Sequence, residues 1–269
     1  MRLLVAGADR VDAGKTTFAV GLAAHTDSLA VKPRAGNDYW FDYDDYRAAV
    51  DAGRLYGKDA RRLAAVSGES PEAVNPVHRL WTPAPGEGKG LLGREGRAVL
   101  CDRVTLDGGH EYVVNGTRDL PERASDALPL DDATTVASLH EYNAVMERLH
   151  RPALDTMADR VEAADRVVVE SYADIARPLT EFVPDAVAVV EPTRVRLYDG
   201  GRYANACSVA SGSAREGRLE VRVGNVLELI EPTARATLAP LPDEVRSDPE
   251  AIAEANDHAY RALVATALD

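Results

Sequence analysis

Residues 3–17 read Leu3-Leu4-Val5-Ala6-Gly7-Ala8-Asp9-Arg10-Val11-Asp12-Ala13-Gly14-Lys15-Thr16-Thr17, and this stretch decides the fold. Leu3 to Ala6 is a short apolar run of the kind that forms a buried strand, and Lys15 to Ala24 carries Phe18, Val20 and Leu22 on or near one helical face. Between them lies a loop bounded by Gly7 and Gly14. Gly14 lets a backbone approach phosphate oxygens, and the helix start offers unpaired N–H groups and the positive end of its dipole. Lys15 is placed to reach the β and γ oxygens and Thr16 to ligate Mg²⁺. Gly7 stands two residues further from Gly-Lys-Thr than in the pattern G-x-x-x-x-G-K-[ST], an insertion the chemistry tolerates. Gly7, Asp12, Ala13, Gly14, Lys15, Thr16 and Thr17 are the candidate nucleotide-binding residues.

Outward from this loop the pattern is strand, loop, helix. Leu29-Ala30-Val31 is a second short strand, and helices are expected near Asp44–Ala52 and Lys58–Val66. Val167-Val168-Val169 and Ala186–Val190 are apolar throughout, as parallel strands covered on both faces should be. The expected fold is therefore α/β, a mostly parallel central sheet with helices on both faces, over a single domain spanning 1–269. Two β-hairpin insertions are expected, Ala98–Leu106 with His110–Val114 and Arg194–Tyr198 with Arg202–Ser208, each around an Asp-Gly-Gly. Residues 75–96, rich in Pro and Gly, read as a long functional loop, and a helical stretch from Asp131 to about Ala164 as broken near Pro152. Leu219–Val223 and Ala236–Leu238 read as further strands.

The 269 residues carry 44 acidic and 31 basic side chains, a formal charge of −13. Four of the basic residues are lysines (Lys15, Lys32, Lys58 and Lys89) and 27 are arginines. Acidic excess with so little lysine fits a high-salt surface, and such a surface repels nucleic-acid phosphates. No run approaches the ~18 apolar residues of a membrane span, and no signal peptide is read at the N-terminus. Cys101 and Cys207 alone make neither a disulfide framework nor a zinc site, so a cytoplasmic location is expected. In so lysine-poor a chain, a lysine marks places that need a compact ammonium.

Lys32 follows the second strand in Lys32-Pro33-Arg34, where residues past a parallel strand's carboxyl end face the ligand crevice. It reads as an anion clamp or as a solvated loop lysine. Glu170 ends an apolar strand, which is costly unless the carboxylate pairs or binds a cation; a metal role and a salt bridge are both open. Asp59 opens a helix, where it is a metal carboxylate or an ordinary N-terminal cap. Asp38 to Tyr46 places five of fifteen aromatics within eight residues, either as a lid with Asp38 or Asp42 near a metal, or as a capped helix start packing on the core. Asn75, His78 and Arg79 are polar groups for a substrate pocket, Arg79 as a bidentate carboxylate or phosphate binder.

The ordered motifs Gly7 to Thr17, Lys32-Pro33, Lys58-Asp59-Ala60, Val74-Asn75-Pro76, Thr82-Pro83-Ala84-Pro85 and Val168-Val169-Glu170 resemble dethiobiotin synthetase. That family belongs to the phosphate-loop class that includes cobyrinic acid amide synthetases and Min-type ATPases. The resemblance covers roughly the first 190 residues as short motifs. It implies ATP and Mg²⁺ as cofactors, with Lys15 on the phosphates, Thr16, Asp59 and Glu170 around Mg²⁺, and Lys32 beside the reacting carboxyl or carbamate. After Glu170 the family has a glycine-rich turn, whereas this chain has Ser171-Tyr172-Ala173-Asp174, so only the nucleotide and magnesium half is carried over.

The expected function is an ATP-dependent enzyme acting on a small anionic substrate by phosphoryl transfer or ligation, with Lys15 and Lys32 as catalytic residues. The alternative is a nucleotide-switch ATPase governing dimerisation or partner binding. Such ATPases carry an extra early lysine in the loop, where this chain has Arg10. The expected partners are a small molecule and, if the chain assembles, a second copy, with neither nucleic acid nor membrane.

Overall fold

The computed structural model describes residues 1–8, 14–86, 96–210 and 220–268. They form two compact units. The first comprises Met1–Pro33, Arg62–Glu69 and Arg160–Asp269, and the second Arg34–Arg61 and Ser70–Asp159.

The first unit is built on strands β1 (Arg2–Gly7), β2 (Leu29–Val31), β8 (Val167–Glu170), β9 (Ala186–Glu191), β10 (Arg194–Asp199) and β11 (Ala234–Thr237), in the order β11-β10-β9-β1-β8-β2. The four strands β9, β1, β8 and β2 are parallel, whereas β10 and β11 add antiparallel at one edge. Leu3 to Ala6, Val167 to Val169 and Ala186 to Val190 are all buried. Continuous apolar runs are what a parallel sheet covered on both faces requires. Helix α1 (Lys15–Thr26) packs on β1 and β8, and the C-terminal helix Asp257–Leu268 on β9 and β10. At Gly21 an added Cβ would lie 2.4 Å from Ile252 Cγ2 and 2.5 Å from the Tyr260 hydroxyl, so helix contact there depends on a bare backbone. Tyr260 donates to Phe18 O at 3.1 Å and meets the Phe18 ring edge-on.

The second unit holds β3 (Arg34–Asp38), β4 (Val77–Pro83), β5 (Arg97–Leu106), β6 (Gly109–Asn115) and β7 (Thr134–Val136) in sequential order. The outer pairs β3–β4 and β6–β7 are parallel, and β4–β5–β6 antiparallel. Helix α2 (Tyr43–Val50) buries Tyr46 and Val50 in one core cluster with Leu80, Leu100 and Tyr112. A second cluster gathers Val77, Val104, Val113, Tyr142 and Leu149.

Several expectations are corrected. Instead of one central sheet there are two. Residues 202–208 are not the return strand of a hairpin: Gly200–Ala210 is a helix, while β10 pairs with β9 and β11. Asp199 decides this by accepting from Arg202 N at 2.7 Å, the side-chain capping that starts a helix rather than a tight turn. Val77–Pro83, read as loop, is a ladder strand, and 87–95 lie outside the described residues. The helix expected from Asp131 begins at Leu139 and widens to π geometry over Met146–His150 just before Arg151–Ala163. Pro152 lacks an N–H and its ring crowds the carbonyl four residues back, so a wider turn replaces a break. Arg222 makes an isolated bridge to Ile175 and Val223–Leu227 is helical, so no strand spans Leu219–Val223; Leu219 lies outside the described residues.

Candidate functional site

In the first unit the parallel register sets the carboxyl ends of three neighbouring strands side by side. Val5 pairs with Glu170 across β1 and β8, and Val31 pairs with Val169 across β2 and β8. Gly7, Lys32 and Glu170 therefore emerge together, and α1 starts beside them. Gly14 precedes that helix with φ of 83°, left-handed geometry that suits glycine. The Lys15 side chain lies back over Gly7, where an added Cβ would meet Lys15 Cδ at 2.8 Å and Nζ at 3.0 Å. The bare Gly7 backbone is what leaves room for that ammonium.

Glu170 is completely buried, and its described contacts converge on one oxygen. Thr16 Oγ1 donates to Oε1 at 2.8 Å, and Lys32 Nζ donates to the same atom at 2.7 Å. Lys32 is itself buried, as is Lys15. A buried carboxylate paired with one ammonium is neutral overall, and beside the Thr16 hydroxyl its oxygens can exchange that ammonium for a metal ion. The residues fit magnesium. Among the described residues no group of three or more His, Cys, Asp or Glu side chains is placed to hold a metal ion. Mg²⁺ needs no such cage: it is commonly held by one or two carboxylates with phosphates and water. Thr16 and Glu170 supply that minimal set.

Other candidate residues lie elsewhere. Thr17 Oγ1 accepts from Arg62 Nη1 at 3.1 Å. Asp12 and Ala13, with Arg10, lie outside the described residues. Asp59, in the first turn of α3 (Lys58–Ser67), belongs to the second unit and lines a cavity there with Asn37, Asp42, Asp45, Lys58 and His78. Asp38 is buried and accepts from the backbone of Trp40 at 2.9 Å and Phe41 at 3.3 Å, with Arg97 on its other oxygen. Its carboxylate shapes the turn that leads into α2. Of the aromatic run, Tyr46 is core, while Trp40 and Phe41 stand 67% and 75% exposed, so the run divides between core and surface. Asn75 is fully buried, its Nδ2 donating to Val77 O at 2.9 Å.

Arg79 spends its fork inside the second unit. Its Nε and Nη2 donate to the two oxygens of Asp102 at 2.6 Å each. Tyr142 and His150 Nε2 add hydrogen bonds to Asp102 at 3.0 and 2.9 Å. Burial pushes the Asp102 carboxyl up, but Arg79 and His150 more than offset it, and the net position is below the ordinary range. Burial lowers Arg103, which donates to Leu55 O and Asn75 O, to about 10. The sequence reading missed this network. Its signal was Asp102-Arg103 inside the otherwise apolar run Ala98 to Val104, where unpaired charges are prohibitive.

Comparison with known proteins gives one partial likeness. Over 107 residues the chain is 40% identical to the ATP-dependent dethiobiotin synthetase BioD of Afipia carboxidovorans. The match covers 39% of this chain and 39% of that protein. No family model matches the chain, and no solved structure matches it.

Proposed function

We propose that this protein is a P-loop ATPase that uses Mg·ATP to act on a small anionic substrate, by phosphoryl transfer or by ligation at a carboxyl or carbamate group. The observation that carries the reading is the convergence of Thr16 and Lys32 on the buried Glu170 carboxylate, beside the Lys15 ammonium folded over Gly7. The partial likeness to an ATP-dependent synthetase supports it. In this reading all 269 residues form one P-loop domain, with the second unit an insertion in the sequence between β2 and β8.

Lys15 offsets charge on the β and γ phosphates. Thr16 and Glu170 would hold magnesium, and Asp59, a residue of the second unit, enters only through the family resemblance. When bound, the ion would supply charge neutralisation for the transferring phosphoryl group. Lys32, fixed by Glu170, presents a compact ammonium to the acceptor and to the charge that develops on it. Asp38, Asn75 and Arg79 serve the substrate pocket indirectly, through the turns and strands they brace. The acidic surface fits a high-salt cytoplasm, with a small-molecule partner and a homodimer as the assembly.

Lys15→Ala tests the assignment, because it removes the phosphate's charge partner without opening the core. Mg·ATP binding, read by calorimetry, and ATP turnover should both be lost while the thermal transition stays in place. Undiminished turnover would sink the phosphate loop.

A further inference from the structure

Helix α1 begins without a capping side chain of its own. Gly14 stands at its N-cap position, and no acidic residue occupies the first turn. A serine, threonine or aspartate cap steadies a helix start by accepting from its first N–H groups. A helix start that is to receive phosphate oxygens needs those same N–H groups for the ligand. Its first turn must then be held by contacts that do not occupy them.

Two threonine hydroxyls supply such contacts. Thr16 Oγ1 ties the turn to β8 by donating to Glu170 Oε1 at 2.8 Å. On the next residue, Thr17 Oγ1 accepts from Arg62 Nη1 at 3.1 Å, while Nη2 of the same guanidinium donates to Arg246 O at 2.8 Å. Thr17, Arg62 and Arg246 all belong to the first unit. Arg246 ends the short helix Asp243–Arg246. The last carbonyls of a helix have no partner inside it, and an arginine is a suitable donor to them. The helix that follows, Pro249–Ala255, packs along α1. One planar group therefore bridges the first turn of α1 to the chain segment that leads into a neighbour of the same helix. A guanidinium can serve two acceptors at once along fixed N–H directions, whereas an ammonium on a flexible stem fixes neither.

We propose that Arg62 is a positioning residue of the phosphate loop: acting through the Thr17 hydroxyl, it fixes the first turn of α1, and with it Lys15 and Thr16, in place of a capping side chain. The inference rests on the phosphate-loop reading and adds to it a residue of α3 that neither the loop motif nor the partial likeness marks. A brace on a hydroxyl leaves the N–H groups of the turn to an anion. An aspartate cap in its place would occupy one of them and set a negative charge against the phosphate. Without Arg62, Lys15 and Thr16 are still present but their turn is less firmly held, so nucleotide affinity falls although Arg62 itself touches no phosphate.

Calorimetry with Mg·ADP on the full chain tests this through a double-mutant cycle. Arg62→Met and Thr17→Val keep most of the bulk of each side chain and remove the contact between them. Each should weaken binding about tenfold, the scale of one hydrogen bond involving a charged group. The two together should cost no more than about tenfold, because both break the same contact. Thr17→Ser, which restores the hydroxyl, should recover most of the loss. Binding by Arg62→Met within about twofold of wild type, whatever its melting temperature, overturns the proposal and leaves Arg62 a tie between helices. Losses that multiply to about a hundredfold in the double variant also overturn it, because Thr17 would then act independently of Arg62. Should Arg62→Met not fold, Arg62→Lys takes its place in the same cycle, with the same criterion of non-additivity. Lys15→Ala keeps the two readings apart. If it loses Mg·ADP while the cycle fails, the phosphate loop stands and the role of Arg62 falls; if it binds as the wild type does, both fall.

Discussion

Glu170 and Asp102 are both buried carboxylates, one in each unit, and their partners differ in kind. Asp102 is met by the planar fork of Arg79, a tyrosine hydroxyl and a histidine N–H, drawn from β4 and the helical stretch around the π turn. Those donors are themselves packed: Arg79 lies over the rings of Trp81 and Tyr142 at 5.4 and 5.5 Å. Glu170 is met by a flexible ammonium just past the end of β2 and a small hydroxyl in the first turn of α1. A carboxylate that ties a core together is surrounded by rigid, space-filling donors with fixed geometry. One organised for a ligand is held by compact donors that can shift their allegiance to an anion or a cation. Under the proposed function, the difference separates structural from functional charge more clearly than burial, which is nearly equal for the two.

The largest effect should come from breaking the structural centre. Asp102→Ala strands Arg79 and His150 without their acceptor in a buried site and should destabilise the protein by about 3–5 kcal/mol, read as a lowered urea midpoint. A change below about 1 kcal/mol would mean that the network contributes little. Lys32→Met addresses the other centre. Substrate-stimulated ATP turnover should fall by about 10²-fold, and stability should fall because Glu170 loses its counter-charge. Adding Glu170→Gln should recover stability but not turnover, and Lys32→Arg should fail to rescue because a planar fork cannot occupy an ammonium's place. A switch ATPase would keep its basal hydrolysis and nucleotide-dependent dimerisation in the Lys32 variants, measured by sedimentation.

Gly7→Ala is a smaller perturbation. The new methyl displaces the Lys15 ammonium, the end of a flexible side chain, so ATP affinity should drop about tenfold with little change in melting temperature. Equal affinity would show that the ammonium need not rest over Gly7. The mildest effect is one of pH. The Asp102 carboxyl is held below its ordinary value in the folded protein, so as pH falls through the ordinary carboxylate range near ~4 the unfolded chain takes up a proton first. The stability this group contributes is present above that range and is lost progressively below it, down to the folded value. Melting curves of Asp102→Asn should therefore depend less on pH below ~4 than those of the wild type. Parallel profiles would assign the acid sensitivity to other carboxylates.

The sequence by itself determined the first strand, the Gly14-Lys15-Thr16 start of α1, and the apolar runs of β8 and β9. These are local features, in which periodicity and the chemistry of a few adjacent residues decide the outcome. It also marked Lys32 and Glu170 one at a time, through lysine scarcity and through a charge ending an apolar strand. It left open whether Glu170 pairs with a side chain or a cation, and whether the aromatic run after Asp38 is core or surface. Tertiary structure gave Glu170 the side-chain partners Thr16 and Lys32 and divided the aromatic run between core and surface. Lys32 and Glu170 meet across 138 residues because β2 and β8 are neighbours in the sheet, and no local pattern encodes strand order. The helix after Asp199 could be mistaken for a hairpin, since Asp-Gly-Gly suits a tight turn as well as a capped helix start. Contact between the Asp199 carboxylate and Arg202 N settled it. Arg79, Asp102, Tyr142 and His150 became a network only once two strands and a helical stretch were brought together, because the buried carboxylate is tolerable in a core only with its donors in place.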